Sequence, residues 1–302
     1  MISVTNVVKH GLLACGYYRR ALVRGTFPGV AVLCYHGVRQ DSASRAFPFD
    51  YLHIPASAFE AHCRVLRECC DPISLDDWRA AVDGGPPLPK RPVLLTFDDG
   101  YRTVLTRAAP ILAAYGLPAA VFVCTAPMAS ARLLWFDDLA AREGEDSVEE
   151  WKSRDYDAWQ TAFAETSRPA PDDPRALMTP DELAALASMA GIEIGGHTAR
   201  HPILARASDC QQRQEVVQNL QSIEAWTKKK VRAFAYPNGS PGVDYTDETC
   251  AILRGAGVDV AFTTRPAFSV PSELQLERSR FLVLDDLSDA ELAHRLAYSW
   301  PR

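Results

Sequence analysis

The sequence predicts an α/β fold in which repeated strand–helix units wind into one barrel with elaborations. Three observations point there. Continuous apolar runs, among them Val30–Tyr35, Val93-Leu94-Leu95 and Ala119–Val123, read as buried parallel strands. These runs alternate with longer stretches whose apolar residues recur at helical spacing. Several runs also end abruptly in histidine, aspartate or glycine, and the ends of barrel strands are where such folds place chemistry. At 302 residues and 47% hydrophobic content, the chain has the material for a large core, and one barrel accounts for it.

Along the chain, residues 1–25 form an N-terminal helical extension ahead of a barrel domain at 26–302. The longest apolar stretch of the extension, Gly11 to Tyr18, is too short to span a bilayer and is bracketed by Lys9, His10, Arg19 and Arg20. An ordinary surface helix is expected, with membrane contact peripheral at most. Strand 30–36 leads through a long loop to a helix near Ser57 to Glu68. Ser57 is expected to cap it, and Phe59, Cys63, Leu66 and Cys70 form its apolar stripe. Strand 92–98 is followed by helix 101–115, and Gly116-Leu117-Pro118 turns into strand 119–124. Helix 180–190 precedes strand 191–196, helix 209–228 precedes strand 232–236, and helix 246–256 precedes strand 258–263. Strand 281–284 and helix 288–299, with Ser288 as its cap, complete the set. Residues 126–178 interrupt this rhythm as an inserted helical segment rich in acids and aromatics, and they are expected to lie over the barrel mouth and restrict what enters. The helical spacing of Trp151, Tyr156, Trp159 and Phe163 is more typical of packing than of a sugar platform.

Three short segments carry chemistry. Thr96-Phe97-Asp98-Asp99-Gly100 closes strand 92–98. Successive strand residues face opposite ways, so the two aspartates are expected to have different roles. Desolvating adjacent carboxylates demands a cation or donors, and a metal is the natural third party; a plain turn with Asp99 capping the next helix is the alternative. His197-Thr198-Ala199-Arg200-His201-Pro202 follows a short strand closed by Gly195-Gly196. The spacing of its histidines lets one turn of chain aim both imidazoles at one ion, and Pro202 keeps His201 out of a long helix. Two neutral imidazoles and a carboxylate leave positions open for water, as a hydrolytic metal site requires. The third segment, Phe234-Ala235-Tyr236-Pro237-Asn238-Gly239, is a rigid turn behind strand 232–236.

With these motifs the chain resembles the polysaccharide deacetylases, the NodB-homology or carbohydrate esterase family 4 enzymes, from about Val30 to about Leu284. The resemblance implies a distorted (β/α)7 TIM-like barrel of the NodB type and a divalent ion, most often zinc. By position, Asp98 resembles the general base, and Asp99, His197 and His201 resemble the metal ligands. Many members carry Arg-Pro-Pro-Tyr-Gly in the third segment, where the arginine holds the catalytic aspartate; here that position is Ala235. Asn238 keeps a backbone N–H that can donate to an oxyanion. Arg280, with Arg278 second, is the expected substitute for the missing arginine, and two surface arginines flanking a strand are the plain alternative. The general acid, a C-terminal histidine in members of the usual order, is expected to be His36. Tyr35-His36 resembles the N-terminal strand end of members with circularly permuted motif order, whereas His294 is expected to be a solvated helix residue.

The expected activity is metal-dependent removal of an N-acetyl group from a sugar of a glycan or glycan precursor, giving a free amine and acetate. A same-fold hydrolase of a non-carbohydrate amide, imide or formamide is a second reading. A non-catalytic glycan-binding protein is a third, disfavoured because binding alone needs no base beside a metal. A net charge of −6 argues against a nucleic-acid partner, and Lys228-Lys229-Lys230 sits at a helix end, where the dipole favours cations. Eight cysteines without CxxC spacing suit a reducing compartment, so a cytoplasmic location is expected.

Overall fold

The computed structural model describes residues 4–42 and 47–298, with side chains from Val7 on. Its strands are β1 (Ala31–Tyr35), β2 (Gly37–Arg39), β3 (His53–Pro55), β4 (Asp71–Pro72), β5 (Pro92–Phe97), β6 (Ala119–Val123), β7 (Ile192–Gly196), β8 (Ala233–Ala235), β9 (Val260–Phe262) and β10 (Phe281–Leu282). A parallel sheet runs β10-β1-β5-β6-β7-β8-β9, with β4 added beside the start of β5. The sheet curls until the residues before β10 bridge back to β9, where Thr263 N–H donates to Arg278 O at 2.8 Å. This is the distorted α/β barrel that the sequence predicts.

Register places the chemistry on one rim. Tyr35 pairs with Phe97, Phe97 with Val121, Val123 with Gly196, Gly196 with Phe234 and Ala235 with Phe262. The residues just past these strand ends, His36, Asp98, His197 and Tyr236, therefore emerge together. Alternation along each strand decides which side chains face inward. Val30, Val32, Leu94, Ala120, Phe122, Ala233, Ala235 and Phe262 pack in one inner cluster, while Leu33, Tyr35, Leu95, Phe97 and Val121 join the layer under the helices. Continuing the inner face by two-residue steps reaches Cys34 and His36 on one strand and Thr96 and Asp98 on the next.

The helices are α1 (Val4–Ala14), α2 (Tyr17–Arg24), α3 (Ala56–Cys69), α4 (Leu75–Val82), α5 (Ala109–Tyr115), α6 (Thr125–Ser130), α7 (Trp135–Glu143), α8 (Glu145–Lys152), α9 (Tyr156–Ala162), α10 (Pro180–Ala187), α11 (Asp209–Thr227), α12 (Asp247–Gly255) and α13 (Asp289–Ala297). Three departures from the sequence reading have physical causes. Ser57 does not cap α3: it lies inside the helix, and the Asp41 carboxylate reaches across the loop to accept from both the Ser57 N–H and its hydroxyl at 2.9 Å. Helix 101–115 is a π-turn over Val104–Ala108 running into α5, because Pro110 lacks the N–H that a regular ladder needs. The 72–82 stretch carries an unforeseen helix, α4, whose Ser74 and Asp77 form a reciprocal capping box. β10 is confined to two residues, and Leu282, 40% exposed, lies at the cavity rim on the same side as Arg280, although Val283 N–H still reaches Cys34 O at 2.9 Å. The helix expected over 288–299 ends at Ala297, and residue 299 lies outside the described residues.

Candidate active site

Asp98 sits at the top of the barrel interior, 3% exposed. Both its oxygens are engaged by one guanidinium, with Arg280 Nη1 donating to Oδ1 and Nη2 to Oδ2, each at 2.7 Å. Arg280 is fully buried between the rings of Phe122 and Phe262 and also donates to Thr263 O and Thr96 Oγ1. Of the two arginines named from sequence, Arg280 thus holds Asp98. Arg278 instead donates to Val270 O and Gln275 Oε1, and neither is a surface residue. Burial pushes the Asp98 carboxyl up, but the Arg280 charge and hydrogen bonds together with the nearby His197 and His36 outweigh it and leave the carboxyl far below the usual carboxylate range. The planar fork against a carboxylate is a geometry that lysine does not reproduce.

Asp99 points elsewhere because its backbone enters the left-handed region, φ 74°. Its buried Oδ1 accepts no hydrogen bond and faces His197 Nε2 at 3.4 Å and His201 Nε2 at 3.5 Å. Ligands about 2.0–2.1 Å from a tetrahedral ion lie roughly 3.3 Å apart, so these separations fit a divalent metal. His197 Nδ1 donates to Ala235 O at 2.7 Å, which fixes the ring with Nε2 turned to Asp99. Burial holds His201 down to about 3, so its imidazole is neutral and able to ligate. Thr198 and His201 also adopt positive φ, 67° and 64°, and Asn238 does so at 55°. Such conformations are costly for residues with a Cβ and concentrate at functional sites.

Helix α11 fixes the histidine loop through residues the sequence reading did not single out. Fully buried Asn219 accepts from His197 N–H at 3.1 Å and donates to Thr198 O, Val123 O and Thr125 Oγ1. Glu215 accepts from Arg200 N–H at 2.9 Å. The two glycines ending β7 admit this approach: a Cβ on Gly196 would stand 2.5 Å from Asn219 Oδ1. The available signal was a polar set, Gln212, Glu215 and Asn219, on the same buried stripe as Val216, Leu220 and Ile223. Asn219→Ala is expected to weaken metal affinity about 10–100-fold through lost ligand orientation. Competition against a chelating dye measures it, and unchanged affinity would remove Asn219 from this role.

His36 follows β1, and its ring, the Cys34 thiol and the Asp98 carboxylate each place one ligand-type atom within 4.8 Å of the others. Its Nδ1 is buried without a partner, and burial lowers its pKa. The next residue has no room for a side chain, since a Cβ on Gly37 would meet His53 Nδ1 at 2.1 Å. His53, also unforeseen, packs against Tyr101, whose hydroxyl donates to the buried Asp137 at 2.8 Å. Gly37→Ala is therefore an overpacking change, expected to cost about 1–3 kcal/mol in denaturant unfolding. His294 lies outside this group on α13, half-buried with Nδ1 3.1 Å from Tyr18 OH, and is not the solvated residue expected.

These groups share a cavity of about 250 Å³. Asn238 lines it with a buried, unpartnered Nδ2, and Tyr236 anchors the same turn by donating to Leu276 O at 2.8 Å. The inserted segment supplies one wall through Trp135, Phe136, Val148 and Lys152, and Phe49, edge-on to Phe136 with ring centres 6.0 Å apart, continues it with Tyr51. Trp135 Nε1 donates to His201 O at 2.8 Å, which ties that wall to the histidine loop. Trp151 and Trp159 pack on Phe163.

Comparison with known proteins fits this geometry. A model described as polysaccharide deacetylase matches residues 85–261. Poly-beta-1,6-N-acetyl-D-glucosamine N-deacetylase of Escherichia coli K12 is 35% identical over 137 residues, covering 44% of this chain and 18% of that protein. The chain thus spans under a fifth of the length of that relative. Among solved structures, IcaB from Ammonifex degensii is similar at TM-score 0.65 and 22% identity, over 90% of this chain and 98% of that one. The Streptococcus pyogenes deacetylase PplD is similar at TM-score 0.64 and 20% identity, over 89% and 98%.

Proposed function

Because the chain belongs to the polysaccharide deacetylase family, we propose that it is a metal-dependent carbohydrate N-deacetylase, converting an N-acetylated sugar of a glycan or glycan precursor to the free amine and acetate. The observation that carries this reading is the division of labour between adjacent aspartates. Asp98 is locked to Arg280, while Asp99 faces two imidazoles in the same cavity. Asp99, His197 and His201 would hold the ion, with zinc expected. When bound, it supplies Lewis-acid polarisation of the amide carbonyl and a lowered pKa for the attacking water.

The protein's own residues supply the rest. Asp98, ionised and held still by Arg280, accepts the proton of the attacking water. A carboxyl held so far below its usual range releases that proton readily, and His36 is the neighbouring base placed to receive it. His36 then donates to the departing nitrogen, which leaves poorly without protonation. The Asn238 N–H stands in the turn lining the cavity as donor to the developing oxyanion. The aromatic wall formed by the insertion with Phe49 and Tyr51 offers stacking surfaces for a sugar ring and restricts entry. The E. coli relative's name supports N-acetylglucosamine polymers as the first substrates to try. The test is acetate release from β-1,6-linked N-acetylglucosamine oligomers beside a panel of small non-carbohydrate amides. Release from the oligomers is expected; cleavage of the small amides alone would overturn the carbohydrate reading.

A further inference from the structure

Outside the barrel, charge and apolar surface are segregated onto the α1–α2 hairpin. Residues 1–25 hold Lys9, Arg19, Arg20 and Arg24 and no Asp or Glu, which leaves −10 on the remainder of a chain whose total is −6. Of the nine large apolar side chains exposed among the described residues, Val7, Val8, Tyr17 and Val23 lie on this hairpin. A fifth, Tyr298, contacts it through its hydroxyl, 2.9 Å from Tyr17 OH. Helix α1 is apolar on both its faces. Leu12 and Leu13 turn inward with the stem of Lys9, whose ammonium pairs with Glu291. The outward face carries Val7 at 60% exposure and Val8 at 54%, followed by exposed Gly11, Ala14 and Cys15. On the adjoining helix α2, Arg19, Arg20 and Arg24 are exposed and form no ion pair among the described residues. Buried Tyr18 and Leu22 pin the hairpin to the domain, so this face is presented rigidly.

We propose that the α1–α2 hairpin is a peripheral membrane-docking surface for anionic lipid bilayers. The Val7–Val8 face would enter the headgroup boundary, and Arg19, Arg20 and Arg24 would meet lipid phosphates. Exposed aliphatic residues beside unpaired arginines on an acid-free segment are the complement of an anionic interface. A second copy of the chain fits poorly, since a two-fold contact through this face would set arginines against arginines. Spanning is not involved, because among the described residues no helix is long and apolar enough to cross a membrane.

The experiment is co-sedimentation of the full chain with phosphatidylcholine vesicles, with and without about a third phosphatidylglycerol. Binding is expected only to the anionic vesicles, weakening as salt rises. At about fivefold per basic residue, Arg19→Gln/Arg20→Gln/Arg24→Gln should weaken it on the order of a hundredfold. Val7→Ser/Val8→Ser should weaken it at unchanged charge. All these positions lie away from the active site, so retained deacetylase activity, or failing that an unchanged unfolding transition, shows that each variant is folded. Three outcomes would overturn the proposal: no binding of folded wild type to anionic vesicles, equal binding to neutral ones, or vesicle-independent self-association that Val7→Ser/Val8→Ser abolishes.

Discussion

Arg280→Met is expected to destabilise the protein by roughly 3–5 kcal/mol at neutral pH, because it strands the buried Asp98 carboxylate without the guanidinium that engages both its oxygens. The same change reverses a pH dependence. In the wild type the Asp98 pKa is depressed, so its contribution to stability is fully present above the unfolded value of about 3.9 and is lost only as pH falls below it. In the variant burial acts without that guanidinium to oppose it and the folded pKa rises. Asp98 then favours the folded state most at low pH, and that contribution is lost as pH climbs through the raised value. Denaturant unfolding of metal-stripped protein between pH 8 and pH 5 should therefore show the gap between variant and wild type narrowing as pH falls. A gap constant across that range would mean that Asp98 is not the group Arg280 compensates. Adding Asp98→Asn to Arg280→Met should recover part of the lost stability, because the stranded charge goes with it.

Asp98→Asn alone is expected to lower acetate release by about 10²–10⁴-fold while leaving the bound metal in place. The amide keeps the volume of the carboxylate but accepts no proton, and the metal-ligand set is built on Asp99, His197 and His201, which this substitution leaves untouched. Metal analysis and rate are read on the same sample. Loss of both metal and rate would mean that Asp98 serves the ligand set, and a rate within tenfold of wild type would remove it from the base role.

Much of this site was legible in the sequence because strand ends are short-range features. Apolar runs broken by Asp-Asp-Gly or by Gly-Gly-His mark where strands stop, and parallel register then brings His36, Asp98 and His197 to one rim without further information. Arg280 was a weaker inference: it rested on a resemblance with an arginine missing at Ala235, and only the closing of the sheet between β9 and β10 shows how a residue 182 positions from Asp98 meets it. Asn219 and His53 were not found, because their roles depend on distances across the barrel. Asn219 reads in sequence as one more polar residue of a long helix, and His53 as part of a loop. Ser57 as a cap failed for a related reason, since the acceptor that satisfies the α3 terminus, Asp41, lies 16 residues upstream.

The most direct test of the account is a metal titration of stripped protein with acetate release from N-acetylglucosamine oligomers as the readout. If Asp99, His197 and His201 hold one catalytic ion beside Asp98, release should rise from near zero in step with occupancy and level off at one equivalent. Release that is undiminished in stripped protein, or absent at full occupancy, would contradict it.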